Sequence, residues 1–178
     1  MSRRLRFYTK TALSAAIISL LSPIAIPLGV LPLTLSSLAI ALISGLVGPL
    51  VGFLAVTVYL AIGAVGVPVF SGFTAGFGAI FGPSVGFFVG YLALSLVSGL
   101  TAYLPTRASV LRHLPLLLLG ELLLLTLGAV GYALMLGLSL AKAALAAFLP
   151  FLIPAVAKAL CAALLLTRLK NSRFMRLL

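Results

Sequence analysis

The chain has 178 residues, of which 63% are hydrophobic and only 7% charged, with a mean hydropathy of +1.37. An ordinary soluble domain is about a quarter charged, so these values exclude a soluble globular fold. The formal net charge of +11 does not indicate a nucleic-acid binder, because the basic residues flank apolar runs, as topology signals beside an anionic leaflet do.

The N-terminal Met1-Ser-Arg-Arg-Leu-Arg6 precedes an apolar run but is not followed by a clear small-residue cleavage site, so it reads as a retained first helix rather than a signal peptide. From Thr11 through Thr106 there is no Asp, Glu, Lys or Arg. A span needs about 20 apolar residues, so this stretch holds four, and the remainder leaves room for two more. The predicted spans are residues 10–28, 33–47, 50–65, 84–103, 116–138 and 143–167. Pro23 and Pro27 end the first span, Gly48-Pro49 separates the second from the third, Pro115 opens the fifth and Lys142 marks the turn before the sixth. Pro150 and Pro154 fall inside the sixth. The expected architecture is an all-α integral membrane protein. It is a single domain over residues 1–178, a six-helix bundle with a Gly/Phe-rich loop between helices 3 and 4.

Charge placement orients this bundle. With both termini cytoplasmic, Arg3, Arg4, Arg6, Lys10, Arg107, Arg112, Arg168, Lys170, Arg173 and Arg176 fall inside, which is ten of the twelve basic residues. Lys142 falls outside and Lys158 lies within a span. The expected location is the cytoplasmic membrane of a bacterial or archaeal cell.

The segment Gly66-Val-Pro-Val-Phe-Ser-Gly-Phe-Thr-Ala-Gly-Phe-Gly-Ala-Ile-Phe-Gly-Pro-Ser-Val-Gly-Phe-Phe-Val-Gly-Tyr91 concentrates glycine and phenylalanine. Glycine lets backbone leave the helix and approach a ligand, and non-helical backbone at membrane depth needs a covering of protein or a cavity to line. Gly72, Gly76 and Gly78 therefore read as loop, and Phe70, Phe73 and Phe77 as candidate walls of a small-molecule pocket. Gly86 and Gly90, four residues apart, read instead as helix-packing contacts. Gly76-Phe-Gly78 is half of a dinucleotide fingerprint, with neither the strand nor the acidic partner that such a site requires.

Lys158 is an intramembrane cation, which insertion scales place at a cost of about 2.5–3.5 kcal/mol. It reads as a counter-ion for a substrate carboxylate, or as a lysine that snorkels or pairs with Glu121, the chain's one acidic residue. Glu121 is expected one turn into the fifth helix, near the interface. Cys161, alone in an apolar run, reads as a buried small hydrophobe with no disulfide or thiol chemistry. With one His, one Cys and one carboxylate in separate segments, catalysis, a metal site and a cofactor are not expected. Ala12 and Ala16 share a helix face suited to close contact with a partner helix.

The run from Tyr59 to Tyr91 closely resembles the BioY family, the biotin-specific substrate-binding (S) subunits of energy-coupling factor importers. Leu31-Pro-Leu-Thr-Leu-Ser-Ser-Leu38 is similar to that family's segment after the first helix, and Leu149-Pro-Phe-Leu-Ile-Pro-Ala-Val-Ala-Lys-Ala159 to its last-helix motif. The resemblance implies six helices, one vitamin held near the outer face, and assembly with a transmembrane coupling subunit and two cytoplasmic ATPases. It places Thr34, Pro83, Ser84, Tyr91 and Lys158 with the phenylalanines and glycines above at the substrate, and Ala12 and Ala16 at the coupling subunit. Two departures stand out. The family usually carries a Gly-Asp pair before the lysine, whereas this chain reads Pro154-Ala-Val-Ala-Lys158, keeping the lysine without the acidic residue, and Ser84-Val-Gly-Phe87 replaces the usual Thr-Gly-Gly-Tyr. Biotin is the leading ligand. A related carboxylated vitamin, or a small structural or regulatory membrane protein without a ligand, is the alternative.

Overall fold

The computed structural model describes residues 2–26, 33–105 and 108–171. The expectations made for Pro27, the Leu31-Pro32 step, Arg107, Arg173 and Arg176 lie outside these residues.

The first helix, α1 (Arg3–Leu21), begins earlier than its apolar run because Ser2 caps it, its hydroxyl accepting from the Leu5 amide at 3.3 Å. It stops two residues before Pro23 rather than running on toward residue 28. A two-residue antiparallel ladder follows, β1 (Ala25–Ile26) on β2 (Leu33–Thr34), which the all-helical expectation did not contain. Next come α2 (Ser36–Val47) and α3 (Pro49–Ala64), separated by Gly48 at φ 95° with Pro49 at the first helical position, where its missing N–H costs nothing.

After α3 the backbone forms a 3-10 turn at Ser71–Phe73 and a single helical turn, α4 (Phe77–Ile80), before α5 (Val85–Gly99) and its 3-10 extension, Leu100–Tyr103. The fifth long element, α6 (Val110–Leu136), starts at Val110 rather than at Pro115, which lies inside it, and ends on Gly137 in the left-handed conformation that glycine adopts without penalty. The expected sixth helix is two: α7 (Leu140–Ala147) and α8 (Leu149–Asn171). Pro150 explains the break, since it can donate no amide to continue α7 and its ring crowds the carbonyl one turn back. Lys142 therefore sits in the first turn of α7, where its amide bonds the Ser139 cap at 3.4 Å, and not in a turn.

Among the described residues, three stretches, Val85–Tyr103, Val110–Leu136 and Leu149–Lys170, are long and apolar enough to cross a membrane, and α2 and α3 are shorter apolar helices. The chain is thus a multi-pass, helical membrane protein. Helix α6 packs mainly on α5 and α8, α2 sits against α5 and α8, and α1 leans on α3. Glycines allow the closest of these approaches. A Cβ on Gly86 would meet the Gly131 Cα at 2.9 Å and the Gly128 carbonyl at 3.0 Å, and one on Gly90 would meet the Leu124 Cα at 3.0 Å. Cys161 differs from its expected burial: it is exposed on the outer side of α8, where lipid solvates an apolar side chain as well as a core does.

Candidate functional site

The packing of α2, α3, α5, α6 and α8 leaves a cavity of about 340 Å³, within the range of small-molecule sites. Each helix contributes one face. Ser84, Phe87, Phe88 and Tyr91 recur at intervals of three and four on α5 and its cap. Glu121, Leu124 and Leu125 do so on α6, and Phe151, Ala155 and Lys158 on α8. Thr34 and Ser37 enter from the ladder and the start of α2, and Tyr59 from α3.

The segment between α3 and α5 supplies Phe70, Ser71, Thr74, Gly78, Ala79, Gly82 and Pro83. Phe70 anchors it. Its ring is 1% exposed, meets Tyr59 edge-on at 5.6 Å and Phe88 at 4.8 Å, and occupies the space a side chain at Gly63 would need. The segment is tied down by amides from Gly72 to the Pro23 carbonyl at 3.1 Å and from Gly76 to the Gly63 carbonyl at 2.7 Å, each made at positive φ.

Of the residues singled out in the sequence, Thr34, Phe70, Gly78, Pro83, Ser84, Tyr91 and Lys158 line the cavity, while Gly72, Phe73, Gly76 and Phe77 do not. The two glycines serve the turns. Phe73 and Phe77 are 69% and 64% exposed, and Phe77 stacks instead on Phe81 at 6.4 Å. Ser37, Tyr59, Glu121, Phe87, Phe88 and Phe151 are lining residues that the sequence reading did not assign to the pocket. A polar residue three or four positions from other inward-facing groups was the available signal for Glu121.

The cavity is apolar along most of its wall and polar at one end. There the Lys158 ammonium donates to the Ser37 hydroxyl at 2.8 Å and to the Thr34 carbonyl at 3.2 Å. Ser37 lies beside the Glu121 carboxyl. Because α6 starts at Val110, Glu121 lies roughly 16 Å along it, far from the interfacial position expected for it. It is 2% exposed, and among the described residues its Oε1 has no hydrogen-bond partner. Lys158 and Glu121 are not within salt-bridge distance, but their charges act on each other directly across the polar end, with Ser37 beside both. The result is a narrow donor–acceptor edge at the end of an aromatic slot, a geometry that suits a compact heterocycle carrying both N–H and C=O groups.

The BioY family pattern matches residues 1–174. The chain belongs to the BioY family. A relative named probable biotin transporter BioY, from Pyrococcus horikoshii, is 33% identical over 161 residues, 90% of this chain and 94% of that one. Biotin transporter BioY2 of Lactococcus lactis is 47% identical over 68 residues, a match spanning 38% of this chain and 37% of the relative. Among solved structures, the crystal structure of the S-component for biotin from an ECF-type ABC transporter superposes with a TM-score of 0.85 at 25% identity, covering 97% of this chain and 95% of that one. The BioY pattern and the superposition both extend over the segments that build the cavity.

Proposed function

We propose that this BioY-family chain is the membrane-embedded substrate-binding subunit that captures biotin and hands it inward through an energy-coupling factor complex. ATP is hydrolysed by partner subunits, since no phosphate-binding loop occurs in this sequence. The observation that carries the reading is a near full-length fold match to a biotin S-component, in a chain whose cavity has the size and polarity of a small-heterocycle site. The protein acts by binding and not by catalysis. Equilibrium binding of labelled biotin to the detergent-purified protein tests this: saturable binding is expected, and its absence from folded protein overturns the assignment.

In this reading the chain is one integral membrane domain with six crossings: α1, α2, α3, α5, α6, and α7 with α8. Both termini are cytoplasmic, supported by the distribution of basic residues. The segment between α3 and α5 covers the bound vitamin, with Phe70 and Tyr91 against its rings and Lys158 at its polar group.

The transmembrane coupling subunit docks on the outward face of α1. Ala12 and Ala16 are exposed there, beside Leu13 and Leu20, while Thr11, Ser14, Ala15 and Ile18 face the bundle. Ala12→Leu or Ala16→Leu is expected to reduce co-purification with the coupling subunit and leave biotin affinity at the parental level. Undiminished co-purification removes this face from the proposal.

A further inference from the structure

The BioY-type cavity contains a carboxyl group whose placement is otherwise unexplained. Glu121 is a carboxylate in the middle of a Leu-rich helix, and such a group is retained at membrane depth only where something pairs with it. Its neighbours pair it incompletely. Ser37 accepts from Lys158, and Lys158 acts on Glu121 through its charge, yet among the described residues Glu121 lines the cavity with a buried Oε1 that has no hydrogen-bond partner. A buried acceptor left unsatisfied costs the full desolvation of that atom, so it favours an occupant that brings a donor. Beside it, Lys158 has used two of its three ammonium hydrogens on Thr34 and Ser37 and keeps one.

We propose that Glu121 is a ligand-specificity residue whose carboxyl group accepts an N–H from the cyclic urea of the ligand. This rests on the biotin reading above and specifies how the cavity recognises the ring. A urea places its N–H and C=O side by side, so one edge satisfies Glu121 with the N–H and Lys158 with the carbonyl. A carboxylate in the same place would bring a second acceptor toward Oε1 and leave it unsatisfied. Glu121 also gives this cavity an acidic lining residue although α8 carries none.

The test compares biotin with its two carbamate analogues, in each of which one ureido N–H is replaced by a ring oxygen. Equilibrium binding is measured on the detergent-purified parent and on Glu121→Leu. The parent is expected to bind one of the two analogues about ten- to a hundredfold more weakly than biotin, the range for a hydrogen bond to a charged acceptor. Glu121→Leu is expected to lose biotin affinity by a similar factor and to bind that analogue and biotin nearly equally. If folded Glu121→Leu discriminates as the parent does, or binds biotin as tightly, the assignment is wrong. Should Glu121→Leu fail to fold, Glu121→Gln decides: its uncharged oxygen is expected to reduce discrimination without abolishing it, and parental discrimination overturns the proposal. A parent that binds no biotin overturns the functional reading and this assignment together, whereas biotin binding without analogue discrimination removes only the role of Glu121.

Discussion

Lys158→Met is expected to weaken biotin binding by about ten- to a hundredfold, the equivalent of losing a hydrogen bond from a charged donor worth about 1.5–3 kcal/mol. Methionine keeps the length of the stem and removes the ammonium, so the cavity wall stays filled while its donor disappears. The consequence extends beyond the ligand, because Ser37 and the Thr34 carbonyl lose the partner that ties the β-ladder to α8. Binding must therefore be read beside thermal melting, and a variant that melts like the parent isolates the contact. Biotin methyl ester discriminates between ligand orientations. If Lys158 faces the urea, as the proximity of Glu121 favours, acid and ester lose affinity by the same factor. If it faces the carboxylate, only the acid loses. Unchanged affinity for both in a folded variant removes Lys158 from the site.

Gly86→Val is expected to be the most damaging single substitution in the helix-packing core. At this point α5 crosses α6 backbone to backbone, with Gly131 opposite, so an added side chain meets Cα and carbonyl atoms that cannot rotate away. Overpacking ordinarily costs about 1–3 kcal/mol, which for a chain of this size lowers the melting temperature by roughly 2–12 °C, and a clash with backbone belongs at or above the upper end. Gly78→Ala is the control. None of the described residues lies within 4 Å of a Cβ there and its φ is not positive, so melting should hold. A Gly86→Val protein that melts with the parent would mean that the α5–α6 approach is looser than the structure has it.

The long apolar runs made the main helices legible in the sequence, and the proline and glycine punctuation located the α2–α3 turn. Helix ends were less legible because capping decides them: Ser2 extends α1 into the basic N-terminus, and Pro150 splits the last helix. Within the cavity, Phe70 and Lys158 were readable because a clustered and a rare residue type marked them, whereas Thr34, Pro83, Ser84 and Tyr91 were supplied by the family resemblance. Phe73 and Phe77 were not distinguishable from Phe70 by composition. Their outward direction follows from a left-handed turn at Gly72 and Phe73 that carries two successive residues at positive φ, one of them not glycine, which no turn preference foretells. Ser37, and the place of Glu121 on the cavity wall, stayed hidden for a different reason. Periodicity gives the faces within one helix, but the angle between helices decides which faces meet, and that is set by close approaches such as Gly86 on Gly131.

The cavity wall is drawn from segments that lie far apart in the chain, from Thr34 on the ladder to Lys158 on the last helix. The stretch from Phe70 to Tyr91 meets the polar groups of Thr34, Ser37, Glu121 and Lys158 only in the assembled bundle, so an occupant that needs both binds the native state in preference to partly folded chains. By mass action such an occupant acts as a folding aid: at a hundred times its dissociation constant it stabilises the native state by about 2.7 kcal/mol. That is comparable to the damage done by a typical core defect, so the vitamin supply in the growth medium sets how much of a weakened protein survives quality control in the cell.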